Sequence, residues 1–158
     1  MKRILVLVAV AAAATAVGVS AANAKVVTNQ TTSLHYSGYV PCANGGAGEL
    51  VTGTIEMHDL VTSTVNGNHD SWQFLSQPQG GSMVGRITGD TYRLTGVTHG
   101  VYNESLDSDH RTLTYVNVYH LVGPGPGNDL LVREVAHATI DANDVVVVGH
   151  DDWSLVCA

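Results

Sequence analysis

The chain has 158 residues, with 7 Lys and Arg against 14 Asp and Glu and a formal charge of −7 at pH 7. That balance argues against nucleic acid and anionic membrane surfaces as partners. With apolar residues making up 44% of the chain, much of it in alternation, the acidity reads as solubility rather than disorder.

Lys2 and Arg3 precede an apolar run from Ile4 to Val19, and Ala22-Asn23-Ala24 supplies small residues at the cleavage positions, which predicts a secretory signal over residues 1–24. No later stretch is apolar enough for long enough to span a bilayer. The mature chain, residues 25–158, is one domain's worth, with five basic residues against fourteen acidic ones and a charge of −9. Its two cysteines, Cys42 and Cys157, stand near its two ends. In an oxidising compartment they are expected to form a disulfide that sets the first and last strands side by side, as barrel closure requires.

Taken in order, Thr31 to Val40 alternates Leu34, Tyr36, Gly38 and Val40 against His35, Ser37 and Tyr39, the pattern of a half-buried strand. A glycine-rich turn follows, then a long strand from Glu49 to Val65. Asn66-Gly67 is the strongest hairpin signal in the chain. As a two-residue turn it pairs Val61 with Trp72 and Asp59 with Phe74, placing Ile55, Met57, Val61, Val65, Trp72 and Phe74 on one face. Asp59 is the misfit there, and a bulge that turns it outward is expected.

Gln77 to Ser82 has loop composition. Met83 to Thr88 and Thr91 to Tyr102 form a hairpin around Gly89-Asp90, with Ile87 opposite Tyr92 and Arg86 opposite Arg93. Two opposed cations belong in water, so Ile87, Tyr92 and Leu94 take the inner side, continued by Gly96 and Gly100, which let the strand coil. After the polar loop Asn103 to Arg111, the stretch from Thr112 to Cys157 reads as three strands. Their connections are Gly123 to Asn128 and Asp141 to Asp144.

The combination TGDTY with GVT shortly after, then GPGPGN, LLVREVAHATIDAN and a closing Cys, resembles a group of small secreted bacterial β-domain proteins with no assigned activity. A more distant, fold-level similarity is to the allene oxide cyclase and dirigent type of barrel. The resemblance implies a secreted, disulfide-closed, all-β domain and supplies no catalytic residue.

Three sets of residues are candidates for chemistry. Trp72, Phe74, Tyr92, Tyr102, Tyr115 and Tyr119 are the aromatics to look for in a barrel cavity, against ordinary core packing. His120, His137, His150 and Asp152 share a face if the last strands pair as the turns suggest, which would resemble a zinc or copper site; exposed surface histidines are the plainer reading. Glu134 alternates with Val132, Ala136 and Ala138 on a face that should be buried, so it is the candidate catalytic carboxylate, against a strand-end residue that reaches solvent.

The expectation is therefore an all-β, single antiparallel meander, an eight-stranded up-and-down barrel closed by Cys42–Cys157, with a β-sandwich as the alternative. The expected function is a secreted non-enzymatic module that binds a small apolar molecule or an extracellular protein. The alternatives are a barrel cyclase or isomerase using Glu134 or a histidine, and a histidine-rich metal-binding protein. No cofactor is required by the sequence.

Overall fold

A computed structural model describes residues 23 to 158, so the expected signal segment, residues 1–24, lies almost wholly outside the described residues. Seven strands follow one another in chain order: β1 (Asn23–Val40), β2 (Glu49–Asn66), β3 (His69–Gly85), β4 (Thr91–Ser105), β5 (Arg111–Val122), β6 (Leu130–Ile140) and β7 (Val146–Cys157). A single 3-10 turn, Asn44–Gly46, separates β1 from β2. Each strand pairs antiparallel with the next, and all seven belong to one sheet in the order β1 to β7.

The expected eight strands are thus seven among the described residues, because β3 runs unbroken through the stretch read as a loop, Gln77 to Ser82. One sheet also replaces the two of a sandwich. Among the described residues β1 and β7 do not pair, so the sheet curls into a trough with an open seam rather than closing by a ladder. The seam is bridged at one end by the disulfide Cys42–Cys157, whose Cα atoms lie 5.5 Å apart.

Strand β1 begins eight residues before the expected Thr31. Its polar first half, including Thr28, Asn29 and Gln30, is held by pairing with Val61, Leu60 and Asp59 of β2 rather than by its own apolar pattern.

Turn registers differ from the sequence expectation by even steps. Asn66 pairs with His69, leaving Gly67-Asn68 as the central residues; Gly67 has φ +58°, the conformation that a two-residue turn with glycine in its first central position demands. Val61 therefore faces Phe74 instead of Trp72, but a two-residue slip keeps every side chain on its assigned face. Gln79 is an extra residue opposite the Glu56–Met57 step, a bulge that also tolerates Pro78 within the strand. No bulge in β2 turns Asp59 outward: it keeps the face of Met57 and Val61, half-buried opposite Ser76, and accepts a hydrogen bond from Ser76 Oγ at 2.5 Å.

The next hairpin departs further. Met83, not Ile87, is opposite Tyr92, and β3 stops at Gly85, so Arg86 does not meet Arg93 and Ile87 is 70% exposed. The reason is Glu49, which draws the turn's N–H groups out of the ladder. Its Oε2 accepts from Ile87 N at 2.8 Å and Thr88 N at 3.1 Å, and its Oε1 accepts from Thr88 Oγ1 at 2.6 Å.

The core gathers at the disulfide end of the trough, where Val40, Val51, Ile55, Met83, Tyr92, Leu121 and Leu130 pack with Cys42 and Ala43. Curling depends on close backbone approach. Gly96 has φ +116°, and a Cβ there would stand 2.1 Å from the carbonyl oxygen of Val118. Gly96→Ala is expected to cost about 2–4 kcal/mol, combining a conformation rare for L side chains with a backbone clash. A urea midpoint unchanged by that substitution would refute this account of the bend.

Candidate functional site

The pairing of β4, β5 and β6 arranges the concave face in cross-strand rows. Leu94, Leu121 and Leu130 form one, and Gly96, Tyr119 and Val132 the next. Thr98, Asn117 and Glu134 follow, and then Gly100, Tyr115 and Ala136. Successive rows lie about 7 Å apart, two residues along each strand.

The first two rows face β1 and β2 across the trough and enclose an apolar pocket of about 240 Å³. Leu34, Tyr36, Tyr39 and Val40 come from β1, Ile55 and Met57 from β2, Leu94 from β4, Tyr119 and Leu121 from β5, and Leu130 and Val132 from β6. A concave, largely aliphatic space with a few polar groups at one side is the general form of a small-molecule site.

Those polar groups are the third row. Tyr119 Oη lies 2.5 Å from Thr98 Oγ1, which is 2.6 Å from Asn117 Oδ1. The amide of Asn117 donates to Glu134 Oε2, and Tyr115 Oη donates to Glu134 Oε1 at 2.7 Å. Glu134 is half-buried, so it is neither sealed in the core nor free at a strand end. The hydrogen bond to Glu134, then burial, then the charges of Glu134 and Asp151 push the Tyr115 hydroxyl above its usual pKa.

Of the six aromatics sought in a cavity, Tyr119 lines this pocket. Tyr92 is fully buried in the core, 3.4 Å from Glu49 Oε1, and burial followed by the charges of Glu49 and Asp90 pushes its pKa up to about 12. Phe74 lies over Gly100, where a Cβ would sit 2.0 Å from the ring, and it borders a separate hollow with Leu60 and His99. Trp72 stands opposite Tyr102, both half-buried. Tyr115 borders a broader hollow of about 390 Å³ towards the far end, which reaches Asp151 on β7.

Of the four residues considered as metal ligands, His137 and His150 are brought together and His120 is held apart from them. His137 is directly opposite His150, Asp152 is opposite Val135, and His120 is opposite Leu131 with its Nε2 3.4 Å from Asp129 Oδ2. His137 Nδ1 is occupied by Thr114 Oγ1 at 2.7 Å. Among the described residues no three His, Cys, Asp or Glu side chains approach closely enough to hold a metal ion. The expected diagonal neighbourhood of His137 and His150 is thus a direct pairing, because the last hairpin turns through Asp141 to Val145 and also carries a bulge between Thr139 and Ile140, which together shift the register by two residues.

The aliphatic lining and the Thr98–Asn117 link lie outside the candidate residues that the sequence offers. Their signal was the inward alternation of Leu34, Tyr36 and Val40 and of Ile55 and Met57, which also fits plain core. No protein-family model, curated protein or solved structure matches this chain.

Proposed function

We propose that this protein is a secreted, non-enzymatic β module, a barrel-like trough that takes up a small apolar molecule. The observation that carries the reading is the apolar pocket between the β1–β2 wall and the β4–β6 wall. Among the described residues its lining is aliphatic and aromatic, with no Ser, Thr, Cys, Lys, His, Asp or Glu side chain. The nearby carboxylate, Glu134, already accepts a hydrogen bond on each oxygen, an arrangement that fixes a binding surface better than it frees a general base. The cyclase or isomerase reading is the weaker one for that reason.

Filling the pocket tests the reading. Val132→Trp places an indole in the space while keeping the residue apolar. It is expected to weaken binding of decanol at least about tenfold, measured by titration calorimetry, since a filled pocket forfeits the buried apolar area of the alkyl chain. Equal affinity in the variant and the parent would show that the pocket is not where apolar molecules go.

A further inference from the structure

The polar row beside the pocket has a direction, and it follows from which atoms own protons. Asn117 Oδ1 can only accept, so the Thr98 hydroxyl donates to it. That spends the one proton of Thr98, so Tyr119 donates to Thr98 Oγ1. At the other end the Glu134 carboxylate can only accept, so Tyr115 spends its proton there and Asn117 spends one amide hydrogen. Every hydroxyl proton in the row is consumed within it.

What the row has left for a ligand is mostly lone pairs, on Tyr119 Oη, Tyr115 Oη and the two oxygens of Glu134, against a single remaining N–H of Asn117. The charge points the same way. Among the described residues no Lys, Arg or His lies within ion-pair distance of Glu134, while Asp151 stands close enough to act electrostatically on Tyr115. A half-buried carboxylate without a cation is a costly arrangement that a positively charged ligand group would relieve.

Building on the pocket reading above, we infer that the ligand is a small amphiphile whose apolar body fills the pocket and whose protonated amine reaches the Glu134–Asn117–Tyr115 row. The spacing fits: the apolar lining ends at Tyr119 and Val132, and Glu134 is the next inward residue on β6, about 7 Å further. An ammonium group brings three donors to a surface of acceptors, and its charge is opposite to that of Glu134. A carboxylate head would bring only acceptors and a like charge, so the pocket discriminates against fatty acids.

The test compares three probes of equal chain length, decylammonium, decanol and decanoate, below their micelle concentrations at pH 7, by titration calorimetry on the intact domain. The expected order is decylammonium tightest, by about tenfold over decanol, with decanoate weakest, the difference a charge-assisted hydrogen bond contributes. Val132→Trp is expected to remove decylammonium binding, which separates pocket binding from general attraction to an acidic protein. Glu134→Gln is expected to reduce the decylammonium-to-decanol ratio to about twofold or less.

Decanoate binding as tightly as decylammonium would overturn the inference and leave the pocket standing. A ratio unchanged in Glu134→Gln would do the same, since the preference would then arise elsewhere. Binding of none of the three probes would overturn the pocket reading and this inference together.

Discussion

Replacing Cys42 and Cys157 together with alanine is expected to lower stability by about 5 kcal/mol, or a Tm drop of roughly 15 °C for a domain of this size. The figure follows from the 115-residue separation that the bond closes, which is nearly the whole domain. Among the described residues nothing in the β ladder replaces it, because β1 and β7 are both edge strands and the sheet is open along their seam. Cys42 is itself buried beside Ala43 and Val40, so the bond anchors the end of the trough where the core lies.

The consequence for binding is separate from that for folding. The pocket takes Leu34, Tyr36 and Val40 from β1 and its opposite wall from β4, β5 and β6, and the disulfide is the covalent tie between the β1 and β7 sides. In mild reductant, affinity for an apolar probe is therefore expected to fall at temperatures where circular dichroism still reports an intact sheet. A Tm change below about 3 °C in the double variant would show that the seam is held by something else.

The class of fold was legible because its cause is local. Alternation of apolar and polar residues, bounded by glycine-rich turns, marks antiparallel strands whatever they pack against. Apart from Ile87, which lies beyond the end of β3, the faces survived errors of register because the slips at Asn66-Gly67 and Gly89-Asp90 were even, and an even slip returns each residue to its own side. The disulfide was legible for a different reason: two cysteines leave one pairing.

The site was less legible because its cause is long-range. The pocket exists where β1 and β2 come over β4 to β6, and that approach is set by the coil at Gly96 and by the bulge at Gln79, not by any motif in the lining. Aliphatic residues such as Leu34, Ile55 and Met57 are marked as inward by alternation, which does not say whether they meet atoms or space. His120 illustrates the converse. Its place beside His137 and His150, which do meet, required a register of β5 against β6 that differs by two residues from the observed one, where His120 meets Leu131.

Glu49 left no local trace at all, as the first residue of a strand after a glycine-rich turn. In the folded chain it is 1% exposed and its carboxylate takes the Ile87 and Thr88 N–H groups, the Thr88 hydroxyl and a longer contact from Tyr92. It lies so close over Gly85 that a Cβ there would stand 2.4 Å from Oε1. Thr88's hydroxyl is the main cause of a lowered carboxyl pKa; burial opposes it, and the N–H groups of Thr88 and Ile87 and then Tyr92 add to the lowering. Glu49→Gln keeps the shape but removes the charge and two of the acceptor lone pairs, so a Tm drop of roughly 10 °C is expected at pH 7. Because the folded pKa lies below the ordinary value of 4.5, this contribution is complete above that value and is lost as pH falls through the folded one. The Tm gap between parent and Glu49→Gln should therefore be constant from pH 7 to about 5 and shrink below about 4, while Asp107 and Asp141, whose pKa values are also lowered, affect both proteins alike. A gap that persists undiminished to pH 3 would mean that the substitution acts by misplacing the Gly85–Thr91 turn rather than by removing a charge.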